Sequence, residues 1–223
     1  MDMHTITQQF IEGMKQTTWL EYIAVFSGII GVWFQRIENI WVFPIGLINT
    51  IVYTWISIKA HLFGEASVNF YYTVMSIYGW IMWSKKNSQH EHVVKITGAS
   101  KKEWLNHLCF FAAFYVVLYF AIGWMARKGY IIGAIPWADA FASATAYTGM
   151  WLLAKKKVES WYWWIATNIA SIPLYFVKHY VFTSVFYFIL LIMAFFGLVE
   201  WMRRAKNGQR SMVDSRQSIV HSQ

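Results

Sequence analysis

At 223 residues, with 57% hydrophobic, 20% aromatic and only 13% charged side chains, the sequence excludes an ordinary soluble domain. The net charge of +8 does not point to a nucleic-acid partner, because the basic residues fall in loops and the tail, where membrane orientation accounts for them. The single cysteine, Cys109, excludes an intramolecular disulfide and a CxxC metal site and reads as a small apolar helix residue.

Residues 1–18 form a polar N-terminal segment, with Phe10, Ile11 and Met14 placed for a short surface helix. No small-residue cleavage site follows an apolar core there, so no cleavable signal peptide is expected. Apolar runs of roughly 18–22 residues follow, each long enough for the bilayer core. They predict seven transmembrane helices over 19–35, 40–58, 67–83, 104–125, 137–154, 161–177 and 180–202, an all-α membrane protein in contact with lipid. One side of the membrane receives Lys15, Lys59, Arg127, Lys128 and Lys178. The other receives the remaining 14 of the 19 Lys and Arg residues, in Arg36, the basic loop 84–103, Lys155 to Lys157 and the tail 203–223. The excess of positive charge puts that second side in the cytoplasm, with the N-terminus outside and the C-terminus inside.

The spans carry polar and aromatic residues at helical spacing. The first ends in Gln35, below Ser27, Gly28 and Gly31; the second offers Trp41, Asn49 and Tyr53, with Pro44 near its start. The third offers Asn69, Tyr72, Thr73, Ser76, Trp80 and Trp83, and the fifth Asp139, Ser143 and Tyr147. In the sixth, Trp161, Trp164, Asn168, Ser171 and Tyr175 follow at steps of 3, 4, 3 and 4, and Pro173 removes a backbone donor just beyond Asn168. Small residues at such spacing more often serve helix packing than ligand binding. An amide in mid-membrane needs a polar partner that lipid does not supply; a ligand and a neighbouring helix are both candidates.

The chain also repeats. A shift of 119 residues lays Asn49 on Asn168 and Lys59 on Lys178, and a shift of 118 lays Phe70 on Phe188, Gly79 on Gly197 and Trp83 on Trp201. Two three-helix units, 19–83 and 137–202, are expected on either side of a linker helix at 104–125, and the extra crossing makes them parallel repeats. No Lys or Arg is expected at the bilayer centre, which disfavours a phosphorylated substrate. Glu21 and Asp139 sit near outer ends. No relay of carboxylates and histidines is present for proton coupling, no histidine pair has metalloprotease spacing, and His90-Glu91-His92 reads as a solvated loop. No enzyme activity, cofactor or metal is expected. A neutral, aromatic, amide-bearing cavity suits a flat ligand, uncharged or a delocalised cation such as a pyridinium.

Trp41-Val-Phe-Pro44-Ile-Gly46, Asn69-Phe-Tyr and Tyr78-Gly79-Trp80-Ile-Met-Trp83, with Glu159-Ser-Trp161, Trp164, Asn168, Pro173-Leu-Tyr175, Gly197 and Trp201, resemble the nicotinamide riboside transporter family (PnuC). The resemblance covers nearly all of 19–202 and implies a 3+1+3 architecture similar to that of the SWEET sugar transporters. It implies facilitated diffusion of nicotinamide riboside, trapped by a cytoplasmic riboside kinase, and a homotrimer in the bacterial inner membrane. Similar members carry thiamin or riboflavin, and a substrate-capture subunit that does not translocate is the alternative of another class. The expected binding residues are Trp161, Trp164, Asn168 and Tyr175 with Asn49, Tyr53, Asn69, Tyr72, Ser76, Trp80 and Gln35.

Overall fold

The computed structural model describes residues 3–16, 19–59, 63–88 and 92–221, and the long elements among them are all helices. They are α1 (Met3–Gln16), α2 (Trp19–Arg36), α3 (Val42–Lys59), α4 (Phe63–Ser84), α5 (Lys101–Arg127), α6 (Pro136–Ala154), α7 (Ser160–Val177) and α8 (Val181–His221). His61, His90 and Glu91 lie outside the described residues, as do the side chains of His4, Glu21, Arg216 and His221. Each expected span corresponds to one helix from α2 to α8. Among the described residues α3, α5 and α8 are long and apolar enough to cross a membrane on those grounds alone. Helices α2, α4, α6 and α7 have 18–22 residues but interleave Trp, Tyr, Ser, Thr and Asn with their apolar positions.

Two elements exceed the expectation. The N-terminal helix α1 docks on α8, with the Phe10 and Phe182 rings 5.9 Å apart and the Tyr22 hydroxyl donating to the Met14 carbonyl at 2.8 Å. Helix α8 runs on to His221, 19 residues past the apolar run, because the tail is built largely from residues that tolerate a helix.

Six helices close a ring through the neighbours α2–α3, α3–α4, α4–α6, α6–α7, α7–α8 and α8–α2, while α5 packs outside it, mainly on α6. Helix α6 can be enclosed because it is made of small residues, and Ala140, Ala144, Thr145, Ala146, Thr148 and Gly149 are all buried. The loop after α4 is docked. Thr97 donates to the Lys156 carbonyl and accepts from the Val158 amide, Ile96 enters the core, and Ala99 N–H donates to the buried Glu159 at 2.7 Å. Helix α5 then starts from a capping box of Ser100 and Glu103.

Backbone bonds of the α2–α3 corner recur at α6–α7. Glu38 N–H donates to Gln35 O, Asn39 N–H to Phe34 O and Phe43 N–H to Ile40 O; Lys156 donates to Leu153, Lys157 to Leu152 and Trp161 to Val158. Each corner turns on a left-handed non-glycine residue, Glu38 (φ 60°) and Lys156 (φ 51°), a conformation costing roughly 1–2 kcal/mol. The packing above repeats as well. Phe43 meets Trp83 edge to face at 5.0 Å, and Trp161 meets Trp201 edge to face at 5.7 Å. Gly79 and Gly197 let the Phe43 and Trp161 rings, respectively, lie directly on the helix backbone, where a Cβ would collide with them. The register of 118 continues into the membrane, since Asn49 bonds Ser27 where Thr167 bonds Thr145. Asn49 is thus matched by Thr167 and Asn168 by Thr50, which corrects the shift of 119 over this stretch: the corner bonds fix the register where sequence identities are too few.

Candidate functional site

The inner stripe of α7 is as expected a single face. Trp161, Asn168 and Ser171 are buried, and Trp164 and Tyr175 are half-buried. Its members do different things. Trp161, 1% exposed, is closed in by Gly197 and Trp201 and offers no ring face to a ligand, so its position in the core departs from the binding role expected of it. Trp164 lies in the interior over α6, with its indole about 3.2 Å from where a Cβ on Gly149 would stand. Its buried Nε1–H has no hydrogen-bond partner among the described residues.

Around Trp164 the ring interior is aromatic. Tyr72 is 6.4 Å from Trp164 and 6.2 Å from Tyr147 between ring centroids. Tyr187 stacks on Tyr175 at 5.3 Å with planes only 14° apart. Tyr71 packs on Tyr147 at 4.2 Å and donates its hydroxyl to the Tyr147 carbonyl at 3.1 Å. Helices α4, α6 and α7 thus bring Tyr72, Tyr147 and Trp164 together, the Tyr175–Tyr187 stack joins α7 to α8, and Asn168 is buried on the same face as Trp164 and Tyr175.

On the α3 side Asn49 Nδ2 donates to Ser27 Oγ at 3.4 Å beside Gly28, and Tyr53 follows one turn on, half-buried. Asn69 is half-buried on α4 and its carbonyl accepts from Thr73, which also bonds Thr50 across the helices at 3.0 Å. Ser76 is buried against Gly46. Two expected residues stand apart. Trp80 is 41% exposed and lines a peripheral cleft of about 360 Å³ with Ile81, Ser84 and Lys85. Eight residues turn a helix about 80° from Tyr72, whereas seven bring Gly79 almost back beneath it, so Gly79 holds the inward place. Gln35 is buried at the corner end, beside the left-handed turn, with its Nε2 unpartnered among the described residues and its backbone carbonyl accepting from Trp201. Sequence reasoning passed over Tyr71, Tyr187 and the Thr145–Thr167 bond; Tyr71 and Thr167 stand one step off the stripes, and Tyr187 and Thr145 gave no such signal.

Charge is kept out of this interior. Among the described residues the buried Lys and Glu side chains are Lys156 and Glu159, both at the α6–α7 corner. At the opposite end of α6, Asp139 accepts from the Ile135 N–H and from Lys178, each at 2.6 Å. No group of three His, Cys, Asp or Glu side chains assembles a metal site among the described residues. The arrangement presents ring faces, one amide and an indole N–H, with no buried cation beside them among the described residues.

Residues 18–203 match the family described as nicotinamide mononucleotide transporter. The chain belongs to that family. Within it, the chain is 23% identical over 220 residues to the nicotinamide riboside transporter PnuC of Escherichia coli strain K12, covering 90% of this chain and 92% of that one. It is 26% identical over 200 residues to the PnuC of Neisseria mucosa, with coverage of 85% and 74%. It is 21% identical over 209 residues to the riboflavin/roseoflavin transporter RibM of Streptomyces davaonensis, with coverage of 93% and 96%. A crystal structure of the vitamin B3 transporter PnuC superposes with a TM-score of 0.69 at 22% identity, over 91% of this chain and 88% of the other, which shows the shared fold. As a nicotinamide mononucleotide transporter family member with apolar helices of spanning length, the chain is a multi-pass membrane protein.

Proposed function

We propose that this chain is a passive transporter of nicotinamide riboside, moving the nucleoside down its gradient through the interior of the helix ring. The observation that carries the reading is the unpartnered indole N–H of Trp164, buried among Tyr72 and Tyr147 in an interior without cations. Such a donor costs about 1–3 kcal/mol until an acceptor meets it, and a ligand carboxamide or ribose oxygen supplies one. The rings of Trp164, Tyr72, Tyr147 and Tyr175 hold the pyridinium plane, and cation–π attraction favours its delocalised charge. Asn168 bonds the carboxamide, while Asn49, Tyr53, Asn69 and Ser76 line the path of the ribose. A phosphate finds no cationic clamp there, so the nucleoside rather than the mononucleotide is the substrate.

The helices divide in this reading into two parallel three-helix units, α2–α4 and α6–α8, joined by α5 in a 3+1+3 order similar to SWEET transporters, with rocking of the units giving alternating access. Kinase phosphorylation in the cytoplasm traps the product, the basic loop and tail face the cytoplasm of a bacterial inner membrane, and the assembly is a homotrimer.

The test is counterflow in sealed, de-energised liposomes loaded in turn with nicotinamide riboside, its mononucleotide, riboflavin and thiamin. Exchange of the riboside without an ion gradient, and none of the mononucleotide, is expected. Exchange of riboflavin in place of the riboside would instead favour the RibM-like reading, and binding without any exchange would favour a capture subunit.

A further inference from the structure

The two equivalent corners carry opposite charges at their left-handed residues, Glu38 and Lys156, and these two side chains meet at 2.7 Å. Residues equivalent in a twofold repeat can meet only near the axis that relates the halves. Two glutamates or two lysines in that place would repel, so the pair exists because the repeat has diverged there. The contact is enclosed. The Lys156 side chain is 4% exposed, and its Nζ stands 4.5 Å from the centroid of the Trp83 ring. The second Glu38 oxygen takes Arg204 at 3.2 Å, and Glu200 holds that guanidinium from the next turn of α8. Trp201 adds its indole N–H to the carbonyls of Gln35 and Arg36 at 3.1 and 3.2 Å.

The far end of the ring is fastened differently. There Lys178 pairs with Asp139, joining the end of α7 to the start of α6, about 28 Å from the corner along the 19 residues of α6. Both partners belong to one half, so the pair travels with that half as a rigid piece. A bond between halves, by contrast, must part when the halves swing apart at its end. We propose that the Glu38–Lys156 pair, buttressed by Arg204, is a latch that holds the corner end of the ring shut and breaks when the interior opens toward that side. This rests on the transporter reading above and adds to it the contact that keeps one side closed.

The test reads opening without ligand, gradient or membrane sidedness. Because Cys109 is exposed, it is first replaced in a Cys109→Ser background. Gln35→Cys then puts a thiol under the latch, where the side chain is 4% exposed and its amide nitrogen has no partner to lose. In purified protein the rate of alkylation by a hydrophilic maleimide is measured. Lys156→Met, and separately Glu38→Gln, is expected to speed alkylation roughly ten-fold, while Lys156→Arg keeps the charge pair and stays near the parent rate. A second reporter, Ala140→Cys, sits fully buried toward the other end and should keep its rate in every latch variant. Unchanged Gln35→Cys rates in both Lys156→Met and Glu38→Gln would overturn the latch. So would an equal rise at the Ala140→Cys reporter, which marks general loosening. Failure of the parent protein in counterflow would sink the transporter reading while leaving this alkylation result to stand or fall by itself.

Discussion

Gly197→Ala is the sharpest test of the packing that frames the site. A helical glycine changed to alanine ordinarily gains about 1 kcal/mol from lower backbone entropy in the unfolded chain. At Gly197 the added carbon would stand well within contact distance of the Trp161 ring, and that ring, 1% exposed, also meets Trp201 edge to face. Either the ring leaves its rotamer or α7 and α8 move apart, an overpacking cost of roughly 1–3 kcal/mol beyond the propensity gain. A net loss of about 2 kcal/mol corresponds to a melting point lower by roughly 4–8 °C in a chain of this size. The control is Gly31→Ala, where nothing lies within 4 Å of the new carbon, so only the gain remains. Thermal unfolding of both variants in the same detergent, at the same scan rate, decides. A Gly197→Ala protein as stable as the parent would refute the close approach of Trp161 to α8, and with it the structural role given to Trp161 here.

The two equivalent tryptophans should respond differently to Phe. Trp201→Phe strips the donor from two carbonyls and is expected to cost about 1–2 kcal/mol more than Trp83→Phe, whose indole N–H has no partner; thermal melts of the pair check this, since both lose the same ring volume. Asn168→Leu is expected to weaken nicotinamide riboside binding about ten- to a hundred-fold by calorimetry, and a destabilised variant with near-native affinity would make Asn168 a helix tie instead. Gly149→Ala presses on the Trp164 indole from 3.2 Å and should lower the same affinity with little change in melting temperature. In a Cys109→Ser background, Lys95→Cys should resist an impermeant thiol reagent added outside intact cells and react in inverted vesicles; labelling from outside reverses the assigned orientation.

The helices were legible because an apolar run of fixed length has few alternatives in lipid, and each of the expected spans lies within a residue or two of a helix or inside one. The α7 stripe was legible for the same periodic reason. Trp80 leaves the stripe because two successive steps of four from Tyr72 drift by about 80° and turn it out of the ring. The pairing of Asn49 with Asn168 failed by one residue, since two matching amides are weaker evidence of register than six matching corner bonds. The Glu38–Lys156 contact left no trace in sequence: residues 118 apart reveal nothing of a meeting that depends on how two corners face. Helix α8 was cut short because hydropathy reports where lipid ends and not where a helix does.

The order in which the ring closes has a consequence for how the protein is made. The seam of α8 against α2 joins helices far apart in the sequence, and Trp201 reaches back to a carbonyl 166 residues earlier. Until α8 arrives, the groove over Trp161 lies open and the polar face of α7 has lipid as its neighbour, which can answer none of its hydrogen-bonding groups. A nascent chain is therefore incomplete in energy until α8 inserts, and chains cut short ahead of α8 should be the ones that membrane proteases remove.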